Sequence, residues 1–77
     1  MEEIKFTLSQ VKNGERLSWS NDDYICEVLW NTVTKRVCVF FNAAVVSATL
    51  QVAPAIKQVG RLCSKYNLTP DENEHEL

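Results

Sequence analysis

Three cysteines, one histidine and ten acidic residues are the side chains of this 77-residue chain that could do chemistry. Catalysis would need a nucleophile beside a base, two carboxylates in a cleft, or a metal. Cys26, Cys38 and Cys63 contain no CxxC spacing, whereas a structural zinc site takes four ligands in closely spaced pairs. His75 lies in a polar terminal run with Asp71, Glu72, Glu74 and Glu76, and nothing there is spaced to orient an imidazole. Asp22-Asp23 lack the further oxygen ligands that a calcium loop supplies at fixed spacing, and read as a solvated turn. Glu27 is the single acid in the apolar centre of the chain. Gly14 belongs to a turn and Gly60 reads as permitting close helix packing, so neither makes a phosphate loop. The chain is expected to be no enzyme and to carry neither metal nor cofactor.

The cysteines still say something about surroundings. Three thiols cannot all pair within one chain, and the opening MEEIKF has no signal-peptide pattern, so buried reduced thiols and a cytoplasmic address are expected. No apolar run approaches the roughly 20 residues of a membrane span. A composition of 45% hydrophobic and 23% charged residues is that of a globular domain. One domain over residues 1–70 is expected, followed by an acidic disordered tail over 71–77. A chain this short buries only about 60% of its unfolded surface, which leaves its stability marginal when alone. The net charge of −2 divides unevenly, because residues 1–70 hold eight Lys/Arg against six Asp/Glu. A field of +2 is too mild to mark a nucleic-acid binder on its own.

The elements that must position these residues centre on residues 24–41, two β-branched and aromatic runs around a polar interruption at 31–36. Pairing Trp30 with Val37, Val28 with Val39 and Cys26 with Phe41 gives a face of Tyr24, Cys26, Val28, Trp30, Val37, Val39 and Phe41. A one-residue slip brings Arg36 into that face, so this register is predicted. It places Cys26 and Cys38 on opposite faces, against a disulfide between them. Upstream, Asn13-Gly14 suits a type I′ turn and predicts a hairpin over residues 4–19. Ile4, Phe6, Leu8, Leu17 and Trp19 would face the core, with Val11 alone among polar residues on the wet face. Residues 43–52 alternate as a strand, although a helix capped by Asn42 is an alternative. Residues 54–66 read as an amphipathic helix: Pro54 suits its first turn, and Ala55, Ile56, Val59, Leu62, Cys63 and Tyr66 form one stripe. Asn67 fits a left-handed stop, Leu68 folds back, and Pro70 ends the element. The fold class expected is α+β, an antiparallel β-meander of four to five strands with one C-terminal helix packed on one face.

A single helix covers a single face. The opposite face of the central hairpin would then show Ile25, Leu29, Cys38 and Phe40 around Glu27 and Arg36, the pattern of a contact surface. These six residues form the predicted partner-binding site of a non-catalytic module that binds a protein partner, as a homodimer. The profile of a small, catalytically blank domain with an acidic tail is similar to that of phage or plasmid accessory proteins that act as inhibitors or adaptors. The alternative is single-stranded nucleic acid, held by the sheet face and by Lys57, Arg61 and Lys65 at i, i+4, i+8, with Lys35 and Arg36 at the hairpin tip. An antiparallel sheet followed by one helix resembles, in element order, the Pur-type and coactivator-type single-strand binders. That resemblance implies a fold rather than an activity.

Overall fold

The structure of the protein, a computed structural model, describes residues 4–71. The acidic stretch 72–77, expected to be disordered, lies outside the described residues together with His75. The elements run α1 (Leu8–Lys12), β1 (Leu17–Ser20), β2 (Ile25–Asn31), β3 (Arg36–Phe41), β4 (Ala44–Thr49), α2 (Val52–Tyr66) and β5 (Thr69–Pro70). The five strands form one antiparallel sheet in the order β4-β3-β2-β1-β5. This is the expected α+β meander with a helix on one face.

The central hairpin has the predicted register, with Cys26 opposite Phe41, Val28 opposite Val39 and Trp30 opposite Val37. Its turn is built by Asn31, whose Oδ1 accepts from the N–H groups of Val33 at 2.9 Å and Thr34 at 3.0 Å. Residues 44–49 are a strand, as the alternation predicts. Asn42 serves a two-residue loop and not a helix cap. Asn42 and Ala43 have φ of 50° and 70°, the left-handed pair that a type I′ turn requires. The Asn42 Oδ1 also accepts from the Ile25 N–H at 2.9 Å.

The predicted hairpin over residues 4–19 does not form. Thr7 instead caps α1: its Oγ1 accepts from the Gln10 N–H at 3.2 Å, while its own N–H donates to Gln10 Oε1 at 2.8 Å. That reciprocal pair satisfies two helix-end donors at once. Gly14, at φ 78°, ends the helix: its N–H reaches Val11 O and the Glu15 N–H reaches Gln10 O, both at 3.1 Å. These two bonds make a Schellman closure. Asn-Gly served a helix stop here, because the left-handed conformation that suits a hairpin also suits a helix end. Val11, expected on a wet face, is buried in the core as a result.

α2 starts two residues before Pro54 and carries its apolar stripe against the sheet. Ala55, Val59 and Cys63 join Phe6, Val11, Trp19, Cys26, Val28, Val37, Val39 and Leu68 in one buried cluster. Gly60 is not a close-packing glycine, since a Cβ there would meet nothing within 4 Å. Asn67 closes the helix at φ 59°, and the Leu68 N–H turns back to Cys63 O at 3.1 Å. Tyr24, Phe41 and Tyr66 fasten this end of α2 to the sheet, with ring centroids 4.6 to 5.5 Å apart.

β5 lies where a terminating Pro70 was expected. It pairs Trp19 with Pro70 and Ser20 with Thr69, and so adds a fifth strand beside β1. Asp71, assigned by sequence to the tail, is part of the fold: its N–H donates to Ser18 O at 3.0 Å.

Candidate functional site

Both helices contribute to the same buried cluster, so the sheet has one covered face and one outer face. Ser18 and Ser20 of β1 occupy the outer face, because Leu17 and Trp19 point into the core. Ile25, Glu27, Leu29 and Asn31 of β2 follow, paired respectively with Ser20, Ser18, Cys38 and Arg36. Phe40 lies opposite Glu27 on one side and Val45 of β4 on the other. All six residues of the predicted partner site thus share one face, brought together by the period-two alternation of β2 and β3.

The face is not uniform. On the β1 side it is polar, because the Asp71 carboxylate accepts from Ser18 Oγ at 2.8 Å and from Ser20 Oγ at 2.6 Å. This clasp hides Ser18, which is only 5% exposed. On the β4 side it is apolar, with Leu29 at 49%, Val45 at 58% and Val46 at 43% exposure. The two valines are exposed together because the ladder slips between Val39 and Phe40, adding one residue to β4. A bulge of this kind breaks the strict alternation of faces. Cys38 sits beneath this strip at 6% exposure, at the floor of a depression of about 140 Å³ lined by Leu29, Trp30, Asn31 and Phe40. The alternation of β2 and β3 was enough to place the six residues on one face. It does not reach Val45 and Val46, whose exposure depends on the bulge, or Asp71, which reads in sequence as one acid among several.

The thiols are placed for packing. Cys26, Cys38 and Cys63 are all unpaired, and Cys26 and Cys38 lie on opposite faces as the register implies. Burial, reinforced by the nearby Cys63 and Glu27, pushes the Cys26 thiol up to about 12. Burial pushes Cys63 up as well. A thiol so shifted holds its proton and is a poor nucleophile at neutral pH. Among the described residues, no three His, Cys, Asp or Glu side chains come together as a metal site. A groove of about 710 Å³ runs along β1 between Ile4, Leu17, Trp19, Leu68 and Pro70. It is the seam where both ends of the described chain meet the sheet.

Lys57, Arg61 and Lys65 are exposed on α2, as a solvated helix side should be. Because α2 packs on the covered face, this ridge looks away from Phe40 and from the outer face. Lys35 and Arg36 are exposed at the β2–β3 tip, with Lys35 held at φ 60°. The fold therefore puts the Lys57, Arg61 and Lys65 ridge and the aromatic sheet face on two sides of the molecule, and only Arg36 of the five basic residues shares the face of Phe40.

The class so defined is an α+β domain with one five-stranded antiparallel sheet covered by helix on a single face. Comparison with protein-family models, with curated proteins and with solved structures gives no match. Among the described residues, no helix is long and apolar enough to cross a membrane.

Proposed function

We propose that this chain is a non-catalytic interaction module that binds a protein partner through the outer sheet face and works as a homodimer. The observation that carries this reading is the half-exposed Leu29 beside Phe40, Val45 and Val46, a contiguous apolar strip flanked by Glu27, Asn31 and Arg36. Apolar strips with a charged rim are what protein interfaces bury. An inhibitor or adaptor acting by occupancy needs no reacting group, and the shielded thiols fit that role. A cytoplasmic protein would keep them reduced.

The test is selective loss of capture. Leu29→Asp places a charge on an exposed position and leaves the core untouched. We expect it to abolish capture of the partner from host lysate while circular dichroism and melting stay as in the wild type. Lys57→Ala, on the opposite side, should capture normally. Equal loss in both variants, or loss in neither, would remove the outer face as the binding surface.

A further inference from the structure

We infer that β4 is a self-pairing edge: it adds antiparallel to β4 of a second copy across a two-fold axis, joining two five-stranded sheets into one. This deepens the homodimer part of the proposed function and rests on it. Three observations carry it. First, β4 ends the strand order, so among the described residues one side of its backbone has no neighbouring strand. Asn42 N–H bonds to Ile25 O, which sets the alternation of the ladder. Even-numbered β3 residues then turn their backbone groups to β2, while Val37 and Val39 turn theirs to Thr49 and Ser47. The groups of Ala48 are left facing outward.

Second, the edge has only one of the usual protections. Edge strands are commonly kept single by lysine, by proline, by extreme shortness or by a bulge, and of these β4 has the bulge alone. β4 has six residues with no charge and no proline, and no charged residue stands anywhere between Arg36 and Lys57. The bulge at Val45–Val46 is in the first half of the strand, and Ser47–Thr49 beyond it is regular. Exposed Leu50 continues the apolar edge at 63%. A two-fold pairing opposes each residue of β4 with another from β4. A strand with charges of one sign would repel its twin in that arrangement, and this one has none. The occupant that fits an uncharged edge flanked by valines is therefore the same edge.

Third, pairing here makes the outer faces continuous. The strip of Leu29, Phe40 and Val45 runs across the sheet towards β4, so two copies place their strips side by side on one surface. That doubles the apolar area offered to a partner.

Sedimentation equilibrium from low to high micromolar concentration tests the arrangement. The wild type should be a reversible dimer. Ala48→Pro removes an outward N–H without touching the bonds to β3, and should raise the dissociation constant at least roughly tenfold, about 1.4 kcal/mol. Leu29→Asp should leave self-association unchanged. If Ala48→Pro fails to fold, hydrogen exchange of the Ala48 amide in the wild type replaces it. That amide should exchange more slowly as concentration rises. A dimer insensitive to Ala48→Pro but broken by Leu29→Asp overturns edge pairing and keeps the homodimer, through the face. Exchange at Ala48 independent of concentration in a sedimenting dimer also overturns edge pairing. A monomer throughout the range overturns both.

Discussion

The β5 side and the β4 side of the sheet end in opposite ways. On the β5 side, β1 is covered by a strand of two residues, one of them Pro70, and Asp71 then fixes Ser18 and Ser20 with both carboxylate oxygens. Shortness, proline and a charge are three devices that discourage a further strand, and all three are present. On the β4 side, six uncharged residues end in exposed Leu50 with none of them. One fold has closed one edge with all three and left the other with its bulge alone. The difference teaches that the open edge is not a general feature of a small domain's surface, because the same chain shows how an edge is closed.

Alkali should act on what the two edges share, and it is the largest effect expected. Cys26 lies on β2 in the middle of the sheet, and its ordinary value of 9.0 is pushed up to about 12, mainly by burial. The unfolded chain releases that proton near 9.0, whereas the folded chain holds it until about 12. Unfolding therefore gains from rising pH across this window. The contribution of the thiol to stability is complete below the lower value and is lost as pH passes the higher one. Cys63 works in the same direction. Urea midpoints followed from neutral pH upward should fall once pH 9.0 is exceeded. A flat profile would mean that both thiols titrate as in the unfolded chain.

Asp71→Ala should break the closed edge alone. It leaves the buried Ser18 hydroxyl without its acceptor, at a cost of about 1–2 kcal/mol by urea denaturation. Replacing Ser18, Ser20 and Asp71 together by alanine should cost less than Asp71→Ala does, because no buried hydroxyl is then stranded. A larger loss in the triple variant would show that the clasp is not what holds this edge. Ala43→Gly sharpens the open edge by relieving its hairpin. Ala43 sits at φ 70°, where an L side chain meets its own carbonyl, and glycine there should raise stability by about 1 kcal/mol. A destabilised Ala43→Gly would mean that the turn carries no such strain.

How legible this was in the sequence depended on how many readings each signal allowed. The β2–β3 register was readable because only one pairing kept Arg36 off an apolar face. α2 was readable because Pro54 and the stripe through Val59 and Cys63 exclude a strand. Residues 4–15 were misread because Asn13-Gly14 serves two purposes, and Ile4, Phe6 and Leu8 alternate as a strand would. Two signals could have corrected this: Gln10 stands three residues after Thr7, and Val11 has no place on the wet face of a hairpin. The outer face was readable as far as β2 and β3 define it. Its extension onto Val45 and Val46 was hidden in a bulge, which leaves no mark in the alternation. The clasp was hidden because it joins residues 53 apart.

That separation has a consequence for how the sheet is made. β1 to β4 are neighbours in sequence, so each hairpin can close as soon as its own residues are available, with little chain to gather. The bond between Ser18 and Asp71 joins residues 53 positions apart. During synthesis, β1 must wait, with its backbone uncovered, until α2 has emerged and Asp71 has followed it. For that interval the nascent sheet has two exposed sides instead of one, and the last residue of the described fold is the one that ends it.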